Sequence, residues 1–230
     1  MRRLLLLLPL AALVALVAAG TAGATRECKG LQVCVRVAGP WVLTPGPAET
    51  HWQLSCPKHF VVGGLDAELT TRAIDLAFEA TVGSPVNPGI STSKAAVFLG
   101  RLVVGRDPAA SFRPHIGCIP SRTSGSRVPT VHHRVYPPGK PASLRVSALA
   151  VHAGATRRIT RACRAGERIV SSSEAIGFYA KQPPSGALAH AVHARLRTAH
   201  NRATVTIRGG APLRGAHAVV QLELLCAGGE

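Results

Sequence analysis

The sequence predicts an all-β chain of two antiparallel, sandwich-like units stapled by disulfides, and three observations carry that expectation. Apolar residues recur with period two: Val192, Ala194 and Leu196 alternate with His193, Arg195 and Arg197, and Val220, Leu222 and Leu224 alternate with Gln221 and Glu223. The 23 glycines and 17 prolines punctuate the chain too often for a helical bundle or coiled coil, while 47% apolar and 17% charged residues are too hydrophobic for a disordered chain. The cysteines keep matched intervals, 62 residues from Cys56 to Cys118 and 63 from Cys163 to Cys226.

Met1-Arg2-Arg3 opens an apolar run from Leu4 to Ala19, followed by the small residues Gly20 to Ala24. This is the pattern of an export signal over 1–24, cleaved after Ala24, and Pro9 and the Ala22-Gly23-Ala24 site favour cleavage over a retained anchor. No Ser or Thr precedes the twin Arg, so ordinary secretion is expected over the folded-export route. No second apolar run of that length follows, and the mature chain of 206 residues is expected to be secreted, with no transmembrane segment. All six cysteines lie in this part, and an oxidising compartment makes disulfides of an even set. Six cysteines allow fifteen pairings; the spacings select Cys56 with Cys118, Cys163 with Cys226, and Cys28 with Cys34.

From Cys28 the elements follow in order. Gly30 supplies a turn, so Cys28 and Cys34 are expected to close a small N-terminal hairpin continued by Val33, Val35 and Val37. Trp52-Gln53-Leu54-Ser55-Cys56 reads as a strand, as does Phe60-Val61-Val62. Ile74, Leu76, Phe78 and Ala80 alternate with Asp75, Ala77 and Glu79, a strand reading that Thr70, Thr71, Ile74 and Phe78 favour over a helix. The first unit spans 25–120, and a Ser-, Gly- and Pro-rich linker covers 121–141. The second unit, 142–230, matches the first in outline: Ile159 to Cys163 against Trp52 to Cys56, Arg168-Ile169-Val170 against Phe60-Val61-Val62, and a Pro-rich break at 182–186 against one at 84–89. Duplication of one unit is the reading these matches suggest.

Cys56-Pro57, Val61-Val62-Gly63-Gly64 and the later Cys118 resemble a pattern in secreted β-rich proteins of actinobacteria, in which a Cys-Pro turn precedes an apolar step and two glycines, and a further Cys closes the unit. The resemblance covers mainly the first unit; the second keeps Cys163, Gly166 and Cys226, and His59 stands near where those sequences often have Gly. It implies the fold and export, and no activity.

Signatures of catalysis are sparse. Gly-x-Ser-x-Gly, a phosphate-binding loop, His-Glu-x-x-His and Cys-x-x-Cys are all absent. Ser91-Thr92-Ser93-Lys94 matches Ser-x-x-Lys but lacks the companion Ser-Asp-Asn and Lys-Thr-Gly, so it reads as a polar turn. Asp66 and Glu68 could share a strand face as an acid and base or a calcium site, and read more simply as a solvated edge. His190 and His193 suit zinc on a helix but point to opposite faces of a strand, His132-His133 suffers the same objection, and no third ligand is evident. No metal or cofactor is expected.

Charge is the strongest positive signal. The formal net charge is +16, with 22 Arg against 5 Lys, a bias that GC-rich coding would also produce. Residues 25–110 hold eight basic and seven acidic residues, +1; residues 111–230 hold seventeen and four, +13. His193, Arg195 and Arg197 fall on one side of a strand whose other side is Val192, Ala194 and Leu196, with Arg202, Arg208 and Arg214 nearby. This row is the candidate site for phosphate, sulfate or carboxylate groups. An anionic wall polymer or glycan is the expected partner. Nucleic acid suits the chain less, since aromatics are only 4% and no stacking series accompanies the cations. The expected function is a secreted, non-enzymatic binding or structural module of the cell envelope; the rival is a secreted hydrolase with a dispersed carboxylate and His site.

Overall fold

A computed structural model describes residues 25–80, 86–87, 90–91, 94–121 and 142–228. The expected signal at 1–24, His132-His133 and the linker beyond Ser121 lie outside the described residues. The chain is nearly all β, as the alternation predicts. In order, the strands are β1 (Val35–Ala38), β2 (Trp41–Leu43), β3 (Thr50–Ser55), β4 (Phe60–Leu69), β5 (Ile74–Ala80), β6 (Val86–Asn87), β7 (Ile90–Ser91), β8 (Ala95–Leu102), β9 (Ser111–Pro120), β10 (Ser143–Val151), β11 (Thr156–Ala162), β12 (Glu167–Tyr179), β13 (Val192–Ala199), β14 (Arg202–Gly209) and β15 (His217–Gly228). Among the described residues one four-residue helix, α1 (Gly186–Ala189), is capped by the Ser185 hydroxyl, which accepts from Leu188 N.

Seven strands form one antiparallel sheet. β4 lies beside β9, β9 pairs on its other side with β1 and then β2, and β2, β12, β15 and β10 follow. Two three-stranded sheets, β3-β8-β5 and β11-β14-β13, pack upon it, and β6 and β7 pair with each other. The order of pairings is the same in both halves: β4-β9-β1/β2 with β3-β8-β5, then β12-β15-β10 with β11-β14-β13. Correspondence extends to register. Cys118 lies opposite both Val35 and Val62, and Cys226 lies opposite both Ser143 and Ile169. A bulge follows each, after Val62 and after Ile169. The turn before β4 uses His59 at φ 69°, and the turn before β12 uses Gly166 at φ 80°. His59 thus takes the left-handed conformation that a glycine takes at the corresponding turn, a conformation His tolerates better than most residues.

The two sandwich-like units share the large sheet. Where they meet, Val42 lies opposite Gly177 and Trp41 opposite Phe178, an antiparallel junction of β2 with β12. One face of this sheet carries Phe112, Val42 and Val219 into a core with Trp52, Leu54 and Phe98 of the β3-β8-β5 sheet. The other carries Phe178, Ala218, Val220 and Leu222 into a core with Val205, Ile207 and Val192 of the β11-β14-β13 sheet. The small sheets therefore cover opposite faces, and β9 and β15 run in opposite directions, so half a turn about an axis across the sheet relates the halves. Each core borrows from the other half: Leu43 joins the second, and Ala175 and Val219 join the first. Polar ties add to the seam, since Gln221 accepts from Gln53 N (2.7 Å) and donates to Gln53 O (3.1 Å), completing a strand-like pair with a side chain.

All three disulfides pair as the spacing predicts: Cys28–Cys34, Cys56–Cys118 and Cys163–Cys226. The second and third each tie the residue just past the first strand of a small sheet to the large sheet. Two expectations need correction. Cys28–Cys34 closes a loop of turns and not a hairpin: Lys29 N donates to Arg26 O and Leu31 N to Cys28 O, no described strand precedes Cys34, and β1 finds its partner in β9. The two Pro-rich breaks are not equivalent either, because 84–89 falls between β5 and β8 whereas 182–186 falls between β12 and β13.

Candidate anion-binding face

The candidate face begins with strand alternation in β14. Ala203, Val205 and Ile207 are fully buried, which turns Arg202, Thr204, Thr206 and Arg208 outward. β13 does the same: Val192 is buried, Ala194 and Leu196 pack on the core, and His193, Arg195 and Arg197 are exposed. β11 buries Ile159 and exposes Arg158 and Thr160. Register then brings these side chains together in rows across the three strands. Thr156, Arg208 and His193 make one row; Arg158, Thr206 and Arg195 the next; Thr160, Thr204 and Arg197 a third; Ala162, Arg202 and Ala199 the last.

Turn chemistry fixes this surface. His200 and Asn201, with φ 48° and 58°, form the two-residue loop between β13 and β14, the left-handed pair that matches strand twist. The Asn201 side chain accepts from Ile169 N (2.9 Å) and donates to Glu167 O (2.7 Å), and the Asn201 backbone carbonyl accepts from Cys163 N (3.3 Å). The hairpin tip is thereby held to β12 beside the Cys163–Cys226 bridge. On the same flank Arg145 pairs with Glu167 and Arg161 with Ser147, and Glu167 is held below the usual carboxylate range chiefly by a backbone hydrogen bond from Arg164.

A concavity of about 670 Å³ lies over the sheet, lined by Arg158, Arg195, Arg197, Ala199, His200, Arg202, Thr204 and Thr206. Of the row singled out in the sequence, Arg195 and Arg197 line it, and His193 stands on the same face beside Arg208 but outside the lining. Arg214 follows the 3-10 turn Ala211–Leu213 and takes no part. Arg158, His200 and the threonines were missing from the sequence-based row. For Arg158 and the threonines the signal was the alternation of β11 and β14, but which residues lie opposite one another depends on register; His200 enters only through the turn it makes.

Arg36, Arg101, Arg113 and Arg145 have carboxylate partners. Among the described residues, Arg158, Arg195, Arg197, Arg202 and Arg208 have none. Two such charges about 7 Å apart repel by about 0.6 kcal/mol even in water, so the face carries uncompensated repulsion that a bound polyanion would relieve.

The other sequence candidates do not assemble into a catalytic or metal centre among the described residues. Glu68 does meet a His: His115 Nε2 lies 2.8 Å from Glu68 Oε1, with Arg113 at 3.8 Å, and Asp66 lies opposite His115. However, His115 is buried and Asp66 accepts from Arg26 N and Ala67 N, so these groups are engaged with one another and with the backbone. Ser91 ends β7 and does not open a helix, and Thr92 and Ser93 lie outside the described residues. His190 caps α1 while His193 lies in β13. Cys163, Glu167 and Cys226 come close enough to share an ion, but both cysteines are consumed by their disulfide.

A second concavity, of about 640 Å³, lies beside the seam, between the Pro45–Thr50 loop and Ser172–Ile176 of β12. Glu49 and Glu174 reach it, and burial pushes the Glu174 carboxyl up. No described helix is long and apolar enough to cross a membrane. Comparison with known proteins returns no matching family, no similar curated protein and no similar solved structure.

Proposed function

We propose that the chain is an exported, non-enzymatic module of the cell envelope that binds anionic polymers or glycans through the outer face of the β11-β14-β13 sheet. The observation that carries this reading is the gathering of four guanidiniums without carboxylate partners, Arg158, Arg195, Arg197 and Arg202, around one concave, turn-locked surface, with Arg208 beside it on the same face. Three disulfides and the sequence of residues 1–24 support export to an oxidising compartment. Matched strand order and register support duplication of one unit, after which charge accumulated in the second copy. No Phe, Tyr or Trp lies in the four rows, which disfavours single-stranded nucleic acid as the partner.

The experiment is retention of the mature chain on heparin or teichoic-acid resin, compared with Arg195→Glu combined with Arg197→Glu at matched circular dichroism. The variant elutes at lower salt, because fewer counterions are displaced and exposed charges are screened. Equal elution salt would make the basic excess compositional. A hydrolase remains the rival reading, and the seam cavity with Glu49 and Glu174 is its best ground; Glu174→Gln abolishing hydrolysis of a glycan panel would favour it.

A further inference from the structure

We infer that the face is built for tetrahedral oxyanions, the phosphate or sulfate esters of a linear polymer, and discriminates against carboxylates. This rests on the anion-binding reading and names the chemistry of its ligand. Five cations alone would attract any polyanion. What they surround makes the difference, because the floor of the concavity is made of hydroxyls.

Thr206 stands between Arg158 and Arg195 in one row, and Thr204 stands between Thr160 and Arg197 in the next. Both threonines line the concavity. Among the described residues the Thr206 hydroxyl has no partner. The Thr160 and Thr204 hydroxyls lie 3.1 Å apart, so one proton is shared between them and the accepting hydroxyl keeps its own to donate. The floor therefore offers the Thr206 hydroxyl flanked by guanidinium forks on two sides, and the Thr160–Thr204 pair flanked by Arg197 on one. A tetrahedral ester directs its peripheral oxygens along different axes and can accept from Arg158, Arg195 and the Thr206 hydroxyl together. A carboxylate has two coplanar oxygens, which a single guanidinium fork satisfies, leaving the hydroxyl and the second Arg without a role.

Spacing favours a polymer over an isolated ion. Successive outward positions on β14 lie about 7 Å apart, so Arg208, Thr206, Thr204 and Arg202 form a track about 20 Å long. An extended chain bearing one ester every 7 Å or so would seat consecutive groups over Thr206 and Thr204, with Arg202 and Arg208 receiving the next groups at either end.

The test measures binding of the mature chain to poly(glycerol phosphate), dextran sulfate and polygalacturonate at one ionic strength. At least one of the first two is expected to bind tenfold or more tightly than polygalacturonate, and the preference between them identifies phosphate or sulfate as the source. Thr204→Val with Thr206→Val keeps net charge and β-branched shape; it is expected to lower affinity for the preferred ester about tenfold and leave polygalacturonate unchanged. Thr206→Ser keeps the hydroxyl and is expected to keep the preference, which separates donor loss from damage to the fold. Equal binding of carboxylate and ester polymers, or a preference that survives the double Val change, overturns this inference alone. If Arg195→Glu with Arg197→Glu leaves all three polymers bound as before, the anion-binding reading itself falls.

Discussion

Gly177 is where the two halves touch most closely, and replacing it by Ala tests whether that junction holds the molecule together. A Cβ at this position would lie 2.5 Å from Pro40 Cγ, 3.0 Å from Pro40 Cβ and 3.0 Å from Trp52 Cη2. Neither neighbour can yield cheaply: Pro40 is a fully buried rigid ring, and Trp52 is 2% exposed in the first core. β12 must retreat from β2, giving up contact and the hydrogen bonding of the Gly177–Val42 pair. Overpacking of this kind costs about 1–3 kcal/mol and a lost backbone hydrogen bond about 1 more, so Gly177→Ala should destabilise by about 3 kcal/mol. For a chain of this size that lowers the melting temperature by about 6–12 °C. Gly46→Ala is the control, since its Cβ meets nothing within 4 Å and its φ is ordinary; it should be neutral or stabilising by up to about 1 kcal/mol. Urea unfolding followed by circular dichroism and by fluorescence of Trp41 and Trp52, both in the first half, measures each variant. In a Pro40→Ala background the Gly177→Ala penalty should shrink by about 1 kcal/mol or more, as coupled neighbours require. A Gly177→Ala protein within about 0.5 kcal/mol of wild type would refute the argument that close packing at this junction is needed.

Other consequences are equally direct. His51 lies 2.9 Å from Glu223 Oε1 and 3.3 Å from Glu49 Oε2, and its pKa is raised from 6.5, first by the hydrogen bond to Glu223. A raised folded value means that its stabilisation is full below about pH 6.5 and is lost as pH rises through that raised value; melting temperature against pH should show this decline, and His51→Gln should flatten it. Breaking Cys163–Cys226 by paired Ala substitutions removes a 63-residue closure and should cost about 4 kcal/mol, against about 2 kcal/mol for the six-residue Cys28–Cys34 loop, read by urea unfolding. Gly166→Ala should destabilise by about 1 kcal/mol, whereas His59→Gly at the corresponding turn should stabilise by a similar amount, because both positions have positive φ.

Much of the fold was legible because its determinants are local. Burying one side of a strand fixes the period-two alternation that identifies β13 and β14; β15 alternates as well, but its polar side is not solvated as alternation implies, since Gln221 and Glu223 are buried where the first half packs on it. A disulfide between a small sheet and the large one recurs at one chain interval when the intervening strands recur, so the 62- and 63-residue spacings named the pairs. The misreadings have an equally physical origin. Gly30, at φ 80°, makes the same turn whether or not strands flank it, and the partner of β1 lies some eighty residues downstream in β9, beyond the reach of turn chemistry. Proline marks a break without saying which connection it occupies, so 84–89 and 182–186 looked equivalent. Nor does alternation state that β2 pairs with β12; that junction depends on Gly177 admitting Pro40, a tertiary fit.

The candidate face divides along the same line. Alternation within β13 is enough to place His193, Arg195 and Arg197 together, since residues two apart share a face. It says nothing about the neighbouring strands, and a site built across strands requires register. Register here follows from the two-residue turn at His200-Asn201, which sets Arg195 opposite Thr206 and Arg197 opposite Thr204, and from the β11–β14 pairing, which brings Arg158 to the same Thr206. A slip of one residue in the second pairing would turn Arg158 toward the core and substitute Arg157, as period two requires. Ile159 opposes that slip, because it lies opposite Val205 in the core and would have to face water in exchange. The burial of one Ile thus helps choose which Arg faces the concavity, and the charge of the face inherits its geometry from the apolar side of the same sheet.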